Sequence, residues 1–342
     1  MTDIDITNFK TDVTILEPYL RPKTLNEYIG QINAKKALEL FIRAGRSRGS
    51  VSEHILFYGP PGMGKTTLAH IMSEELKGEL KITSGPALEK TGDLAAILTN
   101  LQDNDVLFID EVHRMPKPVE EALYPVLEEF ALDIILGKGP SARNVRLSVP
   151  KITIIGATTR IALLSPPLRD RFGLVLRLDH YTDEDMEKIV ERSAELLKLP
   201  LDKHSVSEIA KRSRRTPRIA NRILKRVRDL FEVNSYKKIG KDFVDELFDI
   251  LDIDHHGLND IDKKYLTTII TKFEGGPVGL STLATSLNED KLTIEEYIEP
   301  YLIQIGFFKK TSKGRVVTQK GYKHLNLSYQ PPAASVHQEK ML

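Results

Sequence analysis

The chain has 342 residues, of which 41% are hydrophobic and 28% charged, a composition typical of a globular protein with about two or three domains. Its 49 basic and 48 acidic residues leave a net charge of +1, so any basic surface for nucleic acid must be local. The absence of cysteine excludes disulfides, cysteine–zinc sites and thiol nucleophiles, and favours a reducing, cytoplasmic compartment. No apolar run approaches the roughly 20 residues that span a bilayer, so we expect no membrane contact.

The first predicted elements are an arm and two helices. Residues 1–20 are expected to form a loosely ordered arm. Thr24 and Glu27 have the spacing of a capping box, which predicts a helix that begins there. Asn33 is suited to cap a second helix that runs to about Arg48.

The next pattern is a Gly-rich segment between a strand and a helix. Residues 54–58 are mainly apolar, residues 59–66 read GPPGMGKT, and residues 67–72 have a helix-forming composition. This order indicates a phosphate site, because glycines let backbone N–H groups turn inward beneath a positive helix terminus. Lys65 supplies a charge for the outer phosphates, and the Thr66 hydroxyl can bind magnesium. The segment alone is also compatible with a chance match in a turn.

A second signal follows at residues 106–111, where four apolar residues precede Asp110 and Glu111. An unbroken apolar run fits a strand buried on both faces of a parallel sheet, and ligands of such sheets bind at the carboxyl ends. With the phosphate loop upstream, this pattern predicts a Walker B site. Asp110 then holds the magnesium, and Glu111 orients and polarises the attacking water. Without that loop, two solvated acids at a strand end are the simpler interpretation.

Further patterns extend the sheet and add a protrusion. An amphipathic helix is expected over 118–130. Residues 131–136 and 144–149 flank a turn that contains Gly and Pro, which indicates a β-hairpin. Residues 152–159 predict a buried strand that ends in two hydroxyls, and the polar turn over 167–173 carries two arginines.

The last third of the chain changes character. Residues 182–252 are predicted to be helical, and the basic stretch at 211–228 is explained most simply as a solvated face. Beyond a polar linker, three helices and two short strands predict a winged-helix unit. Residues 300–330 carry six basic residues and no acidic one, so local positive charge is expected there.

The expected fold is therefore α/β with three domains. We predict a large P-loop domain with a parallel sheet at 1–181, including a protruding hairpin at about 132–149. A small all-α lid domain follows at 182–253. A winged-helix domain for DNA occupies 254–330, and the tail at 331–342 is expected to be disordered.

These pieces resemble the AAA+ ATPases and, within them, the bacterial motors that drive branch migration of Holliday junctions in homologous recombination and DNA repair. The resemblance spans about residues 16–325. The motifs that carry it are LRP at 20–22, YIGQ at 28–31, GPPGMGKTTLA at 59–69, LFIDEVHR at 107–114, LDIILGKGPSARNVRL at 132–147, IGATTR at 155–160, LRDRFG at 168–173, RTPRIANRIL at 215–224 and YLIQIGFFKKTSKGR at 301–315.

The resemblance implies a nucleotide site for ATP and Mg²⁺. Adenine is expected beside Leu20 and Arg21. The phosphates and Mg²⁺ are expected beside Gly62, Gly64, Lys65, Thr66 and Thr67.

Four more residues have implied roles in the same site. Thr158 resembles the sensor that contacts the attacking water or the γ-phosphate. Arg171 resembles the arginine finger that enters the neighbouring subunit's site, with Arg169 as an alternative. Tyr181 is expected to line the nucleotide pocket, and Arg218 resembles the sensor of the lid domain.

The resemblance also implies partners. A homo-hexameric ring is expected to act on Holliday-junction and duplex DNA, with RuvA as a direct partner and RuvC as an indirect one. Val145 and Leu147 in the hairpin are expected to dock on RuvA, and Lys310 and Arg315 in the wing to follow the DNA backbone. The family commonly has arginine in place of Lys310, and lysine keeps the charge without the bidentate fork.

Two other AAA+ functions are weighed against a DNA-translocating ATPase. Clamp loaders usually carry a Ser-Arg-Cys trio at the finger, whereas this chain has Asp170-Arg171-Phe172. Unfoldases that thread polypeptide display an aromatic-hydrophobic-glycine pore loop, and no convincing one lies between Ser84 and Gly92. The sequence therefore favours the DNA motor.

Overall fold

The computed structural model describes residues 18–48, 53–136, 143–234, 236 and 238–329. The expected arm up to residue 17, the turn at 137–142 and the tail at 331–342 lie outside these residues. The described residues fall into two compact units, one drawn from Met1–Leu199 and Arg215–Lys225 and the other from Pro200–Arg214 and Arg226–Leu342.

The first unit contains seven strands and the following helices. Its strands are β1 (Ile55–Tyr58), β2 (Leu80–Ser84), β3 (Val106–Asp110), β4 (Ala131–Leu136), β5 (Arg143–Ser148), β6 (Thr153–Thr158) and β7 (Leu174–Arg177). Its helices are α1 (Ile32–Arg48), α2 (Lys65–Leu76), α3 (Thr91–Leu98), α4 (Lys117–Glu129), α5 (Pro166–Asp170) and α6 (Asp183–Leu196).

Five of these strands form one parallel sheet in the order β2-β3-β6-β1-β7. In this sheet β1 is an interior strand, because it pairs with β6 on one side and with β7 on the other. Tyr58 at the end of β1 lies opposite Thr158 at the end of β6, and Ile109 of β3 lies opposite Gly156. The carboxyl ends of β1, β6 and β3 therefore meet at one edge of the sheet.

The core explains why these segments are strands. The apolar side chains of β3 and β6, such as Leu107 and Ile154, are fully buried, as expected for a sheet covered on both faces. They share one cluster with Leu94 of α3 and Leu123 of α4. Burial of each such side chain contributes about 1.5–3 kcal/mol to folding.

The hairpin of β4 and β5 is anchored at its base. Leu132 pairs with Leu147, and Ile134 pairs with Val145. Leu132 is buried, and Ile134 and Leu147 pack against the core of the first unit. Leu147, which the resemblance assigns to partner binding, therefore also anchors the hairpin, whereas Val145 lies two residue pairs closer to the tip.

The second unit carries the remaining helices and the wing. Its elements are α7 (Lys203–Arg212), the continuation of α8 (Pro217–Asn234), α9 (Lys241–Ile250), α10 (Asp260–Phe273), α11 (Leu280–Leu287), α12 (Lys291–Thr293), a π-helical turn (Ile294–Ile298), α13 (Glu299–Gln304), β8 (Phe308–Thr311), β9 (Gly314–Val317) and α14 (Gln319–His324). This order confirms the expected winged-helix plan, and the parallel P-loop sheet and the helical segment confirm the expected fold class.

The wing packs on an aromatic core. Phe308 lies opposite Val317 across the two wing strands, and both are buried with Tyr265 and Tyr322. The backbone of Val278 exchanges two hydrogen bonds with that of Arg315, at 3.1 and 2.8 Å. No helix in the described residues is both long and apolar enough to cross a membrane.

One predicted helix is wrong. One capping bond forms, since Glu27 N donates to Thr24 Oγ1 at 3.3 Å, but Glu27 Oε2 accepts from Lys23 N at 3.1 Å, one residue before the N-cap position. The segment nevertheless makes only a turn. The Glu27 carboxylate also accepts a bond from Arg192 at 3.0 Å, so a distant partner fixes it where a capping box alone predicted a helix.

His54 is a buried polar residue next to β1. Its side chain is 1% exposed, and its Nδ1 accepts a hydrogen bond of 2.9 Å from Ile154 N. Burial lowers the pKa of His54 to about 4. The folded protein therefore holds this ring neutral, and its acceptor nitrogen ties β1 to β6.

This neutral ring predicts a specific pH dependence of stability. With a pKa near 6.5 in the unfolded chain and about 4 in the fold, the unfolded state binds more protons between these values. The free energy of unfolding then falls as the pH falls, by about 2 kcal/mol at pH 5. His54→Asn keeps an acceptor for Ile154 without titrating. We expect the stability difference between pH 7 and pH 5 to shrink by about 2 kcal/mol in urea unfolding followed by circular dichroism.

The exposed His204 provides the control, and His204→Asn is expected to keep the wild-type pH dependence. If His54→Asn and the wild type lose equal stability between the two pH values, His54 is not neutral in the fold.

Candidate functional site

The phosphate loop follows β1 and begins with a backbone conformation that requires glycine. Gly59 has φ 144°, and a Cβ at this position would lie 2.1 Å from the carbonyl oxygen of Leu178. The loop then turns back over its own lysine. Lys65 Nζ donates to Gly59 O at 2.9 Å and to Pro60 O at 2.8 Å, so the amine is held inside the loop.

The positive charge of the Lys65 amine is poorly compensated, because both of its hydrogen bonds go to neutral carbonyls. Its residue is 8% exposed, and burial lowers the pKa of Lys65 to about 8, a shift that Asp110 opposes and Arg218 reinforces. Two neutral carbonyls do not replace the water that the ammonium has lost. An anionic group in the loop would restore that stabilisation, so the site fits a phosphate.

A cleft beside the loop gathers most of the residues expected to handle phosphate and metal. Its lining consists of Arg21, Pro61, Gly62, Gly64, Lys65, Thr66, Thr67, Asp110, Glu111, Thr159, Pro217, Arg218 and Asn221. Thr66 and Asp110 offer hydroxyl and carboxylate oxygens, which are the ligands that Mg²⁺ prefers. The cleft therefore fits a nucleotide phosphate chain with its metal.

The two acids at the end of β3 have different surroundings. Glu111 N donates to Asp110 Oδ1 at 2.9 Å, which orients the Asp110 carboxylate. The backbone of Glu111 is left-handed, with φ 48°, a conformation that costs a residue other than glycine about 1–2 kcal/mol. Its carboxylate forms an ion pair of 2.9 Å with Arg114. Both of these side chains are well exposed, so this pair stabilises the protein little.

Thr158 lies behind the cleft lining rather than in it. The residue is 1% exposed, and the cleft is lined by its neighbour Thr159. Arg160 N donates to Thr158 Oγ1 at 2.9 Å, and His113 Nδ1 lies 2.9 Å from the same oxygen. The expected sensor hydroxyl is therefore in contact with the segment that follows Glu111.

His113 was missed in the sequence, although it stands two residues after Glu111 in the motif DEVHR. Burial lowers the pKa of His113, as do the nearby Arg160 and Arg114, while Glu111 opposes the shift. The ring is therefore neutral near pH 7 and can donate to or accept from the Thr158 hydroxyl. It joins the end of β3 to the end of β6.

A second cavity, next to the phosphate cleft, fits the place expected for adenine. It is lined by Leu20, Arg21, Pro22, Glu27, Tyr28, Ile29, Gly64, Thr67, Tyr181, Ile189, Arg192, Ser193, Pro217 and Asn221. Arg21 NH1 lies 2.8 Å from His70 Nε2, so this guanidinium is held against α2. Burial, together with Arg21, lowers the pKa of His70, so the ring is a neutral partner for the cation.

Two buried tyrosines brace the loop from this cavity. The Tyr28 hydroxyl donates to Met63 O at 3.1 Å, and the Tyr181 hydroxyl donates to the Tyr28 oxygen at 2.9 Å. A Cβ on Gly64 would lie 2.4 Å from the Tyr28 hydroxyl. Burial raises the pKa of Tyr181 to about 12, so the hydroxyl stays protonated. Gly64 is therefore small because Tyr28 occupies the space beside it.

Arg192 is another member of the cavity that sequence reasoning missed. Its guanidinium donates to Leu20 O at 2.9 Å and to Glu27 Oε2 at 3.0 Å. It therefore links α6 to the segment that supplies the expected adenine contacts. No local motif marks this arginine, because its partners lie more than 160 positions away.

The two candidate finger arginines lie apart from both cavities. Neither Arg169 nor Arg171 belongs to the described lining of either one. Arg171 NH1 donates to Pro167 O at 2.8 Å, its Nε lies 3.1 Å from Glu128 Oε1, and its guanidinium carbon lies 4.5 Å from the ring centre of Tyr124. These contacts hold Arg171 at the surface of α4 and α5, away from the lining of the phosphate cleft in this chain.

In the wing, Lys310 and Arg315 face acidic partners that sequence reasoning missed. Arg315 Nε lies 2.8 Å from Glu299 Oε1, and Arg315 NH2 lies 3.0 Å from Glu295 Oε1. Lys310 Nζ lies 2.6 Å from Glu299 Oε2. The Glu299 side chain is 0% exposed and that of Arg315 is 13% exposed. Glu299 and Arg315 are therefore buried within the winged-helix unit, whereas the side chains of Lys310 and Glu295 are 42% and 40% exposed.

The pKa shifts in this group follow from the pairing. Burial raises the pKa of Glu299, but hydrogen bonds from Arg315, Lys310 and Tyr265 outweigh burial, and the pKa ends below its usual value. The Tyr265 hydroxyl donates to Glu299 Oε1 at 2.9 Å. Glu299 is therefore a buried carboxylate satisfied on both oxygens. Lys309 and Lys313, by contrast, are exposed and form no ion pair within the described residues.

Three family models of known proteins match successive parts of this chain. Residues 20–178 match the family model of the Holliday junction DNA helicase RuvB P-loop domain. Residues 181–254 match the RuvB AAA lid domain, and residues 255–326 match the RuvB C-terminal winged helix domain.

Solved structures agree with these matches. The structure of Thermotoga maritima RuvB, described as a Holliday junction branch migration motor, is 48% identical and covers 91% of this chain and 100% of its own, with a TM-score of 0.81. Two of its single-substitution variants superpose with TM-scores of 0.82 and 0.83 at the same identity and coverage. The resemblance seen in the sequence is thus confirmed, and the chain belongs to the RuvB family, the AAA+ motors that drive branch migration of Holliday junctions.

Proposed function

We propose that this chain hydrolyses ATP with Mg²⁺ to translocate DNA. The observation that carries the proposal is the cleft whose lining combines Lys65, with its buried amine, Thr66 and the acids Asp110 and Glu111. A cation that lacks compensation and two carboxylates at one sheet edge suit a phosphate chain and its metal. A DNA-binding protein without a motor would need none of these groups.

Each residue has a separate task in this mechanism. Lys65 binds the outer phosphates, and the backbone of the loop around Gly62 and Gly64 surrounds them. Thr66 and Asp110 hold Mg²⁺, which when bound neutralises charge that develops on the phosphoryl oxygens. Thr67 lines both the phosphate cleft and the adenine cavity.

Glu111 is proposed to orient and polarise the attacking water. Its carboxylate lines the cleft and is paired only with the exposed Arg114 among the described residues, so little energy is needed to redirect it. Thr158, in contact with His113, is proposed as the sensor whose position responds to the γ-phosphate. Arg218 supplies a further positive charge from the start of α8.

The adenine cavity completes the nucleotide site. Leu20 and Tyr181 supply apolar surface for a base, and Arg21 lines both the cavity and the phosphate cleft. A ligand that bridges the two cavities therefore combines a flat apolar group with a phosphate chain, as ATP does.

Replacement of the proposed water-activating acid tests the mechanism. Glu111→Gln keeps the shape of the side chain but removes the charge that polarises water. We expect turnover to fall by about 10²-fold or more, the scale of general-base loss. ATP binding is expected to persist through Lys65 and Thr66. Phosphate release and binding of a fluorescent ATP analogue measure the two effects.

Glu121→Gln, an isosteric change at an exposed acid of α4, provides the matched control and is expected to retain wild-type turnover. If Glu111→Gln also turns over at the wild-type rate, Glu111 has no part in the hydrolytic step.

A homo-hexameric ring is proposed because the finger arginine lies away from its own phosphate cleft. Arg171 is then supplied to the neighbouring subunit, where its charge stabilises the transition state. RuvA is proposed to bind the hairpin, with Val145 closer to the tip than the anchored Leu147. RuvC is proposed as an indirect partner at the same junction. A cytoplasmic location accords with these partners.

The ring predicts complementation between two inactive variants. Arg171→Ala removes the finger but leaves its own pocket intact, and Lys65→Ala removes the pocket but leaves the finger. Each alone is expected to lose about 10³-fold in ATP hydrolysis. A mixture is expected to regain activity, because some interfaces combine an intact pocket with an intact finger.

Arg169→Ala provides the matched control, since Arg169 lies two residues away and is more exposed than Arg171. It is expected to hydrolyse ATP normally. Mixtures that form mixed rings yet show no more activity than the separate variants would exclude a finger supplied in trans.

The wing is proposed to contact duplex DNA through its exposed lysines. Lys309 lies on β8, and Lys313 lies in the turn between β8 and β9. Neither lysine has an acidic partner among the described residues. Lys310 is partly exposed and can add a contact, whereas Arg315 mainly stabilises the wing. This assignment refines the expectation that Lys310 and Arg315 together follow the backbone.

Salt dependence of DNA binding distinguishes these roles. Lys309→Ala with Lys313→Ala is expected to weaken binding without sequence preference. It should reduce the log–log salt slope by about two units, roughly one for each lost phosphate contact. Lys203→Ala with Lys241→Ala removes the same charge outside the wing and should leave the slope unchanged. An unchanged slope in the folded wing variant would place the DNA contact elsewhere.

Lys310→Ala with Arg315→Ala has a different expected result. It leaves the buried Glu299 carboxylate without its cations, which costs about 3–5 kcal/mol of stability. A lowered melting temperature is therefore expected, and an unchanged one would contradict the structural role of Arg315.

A further inference from the structure

Three histidines of the winged-helix unit lie side by side. His255 and His256 belong to the loop between α9 and α10, and His324 is the last residue of α14. One ring nitrogen from each of them lies within 4.8 Å of the other two. The ring centres are 4.4 to 5.2 Å apart. Nothing in the proposed motor function uses this cluster.

The ring of His324 is oriented by a carboxylate. His324 Nε2 lies 2.8 Å from Asp254 Oδ2, and the other oxygen of Asp254 accepts bonds from His256 N at 2.8 Å and Leu258 N at 3.0 Å. Because a carboxylate accepts, Nε2 of His324 carries the hydrogen. In the neutral ring, Nδ1 is then left with a free lone pair.

That lone pair has no partner among the described residues. His324 Nδ1 is buried and makes no hydrogen bond, and the side chain of His324 is 5% exposed. A buried acceptor without a partner costs about 1–3 kcal/mol, and such groups are rare in folded proteins. The bond to Asp254 thus explains the orientation of the ring but leaves its second nitrogen unexplained.

This arrangement is the one that metal-binding histidines adopt. A histidine ligand almost always donates its other ring N–H to a carboxylate or carbonyl, which fixes the tautomer and directs the lone pair at the metal. Asp254 and His324 form such a pair. His255 and His256 add two further imidazoles beside it. Phe307 lies on another side, with its ring centre 4.7 Å from that of His324 and 5.3 Å from that of His256.

We propose that His255, His256 and His324 bind a divalent first-row transition ion, zinc being the ion to test first. Imidazole nitrogens suit zinc and its neighbours rather than Mg²⁺ or Ca²⁺, which take oxygen ligands. Three histidines leave one position of a tetrahedral ion open for water. Since His255 is exposed, an ion can reach the cluster from solvent.

Binding requires only a small movement. In a tetrahedral zinc site, ligand nitrogens 2.0–2.1 Å from the ion lie about 3.3 Å apart, compared with the limit of 4.8 Å in this cluster. The backbone of His256 is held, since His256 N donates to Asp254 Oδ1 at 2.8 Å and the Tyr301 hydroxyl donates to His256 O at 2.7 Å, so the approach to the His324 ring falls to rotation of the His255 and His256 side chains. The ion would join the loop before α10 to the end of α14, near the two ends of the matched winged-helix region.

The test is zinc binding by the full-length chain without an affinity tag. The protein is stripped with a chelator and titrated with Zn²⁺ against a chromogenic competitor, and Co²⁺ is used as an absorbing substitute. We expect one ion per chain at micromolar or tighter affinity, the visible bands of four-coordinate Co²⁺, and a melting temperature that rises with zinc.

Variants assign the site. Because His255 is exposed, His255→Ala is expected to fold normally yet lose at least 100-fold in zinc affinity, and His256→Ala likewise. Asp254→Asn is expected to lose about 10- to 100-fold through the misdirected ring. His204→Ala, at an exposed histidine of the same unit, should bind as the wild type does. Equal zinc affinity in the wild type and folded His255→Ala overturns the proposal, as does the absence of Co²⁺ bands.

Discussion

The parallel pairing of β1 with both β6 and β7 is the constraint on which the nucleotide site depends. It buries Ile55, Leu56 and Phe57 of β1, and the chain leaves this strand beside the carbonyl of Leu178, where only glycine fits at position 59. The same pairing brings Thr158 level with Tyr58, one strand away from β3 and Asp110. Backbone register therefore places the loop, the acids and the sensor at one edge, and Gly59 N donates directly to Thr158 O at 3.2 Å.

The loop that leaves β1 holds a charge that the fold alone does not compensate. Lys65 bonds only to carbonyls among the described residues, and its pKa is lowered to about 8. The groups that brace the loop from the other side, Tyr28 and Tyr181, are neutral because burial raises their pKa. Rigidity thus comes from uncharged hydrogen bonds, which leaves the positive potential of the loop available to an anion.

Features encoded by adjacent residues could be predicted from the sequence. The loop at 59–66, the strand before Asp110 and the wing each combine a local pattern with a local structure, and all three appear as expected. The helix predicted at Thr24 does not form, and Glu27 instead contacts Arg192, which is distant in the sequence. The roles of Tyr28 and His113 were missed for the same reason, since their partners become neighbours only when the sheet assembles.

The wing shows how a count of charges along the sequence can mislead. The stretch without acidic residues begins at position 300, one residue after Glu299, and Glu299 is the carboxylate that Arg315 and Lys310 contact. Glu295 lies in the π-helical turn (Ile294–Ile298), and Glu299 directly follows this turn. Both acids form ion pairs with Lys310 of β8 and Arg315 of β9. Two of the basic residues are thus used inside the fold, and the DNA-facing charge depends on the lysines that remain exposed.

The size of the winged-helix unit gives these internal charges their importance. The matched region spans residues 255–326, and domains of this size bury too little apolar surface for a large margin of stability. Such a unit relies on a few well-placed polar contacts. The hydrogen bond from Arg315 to Glu299 links the wing to α13. The hydrogen bond between His324 and Asp254 links the end of α14 to the loop before α10. A metal ion at the three histidines would strengthen the second of these links and would leave the wing lysines exposed for DNA.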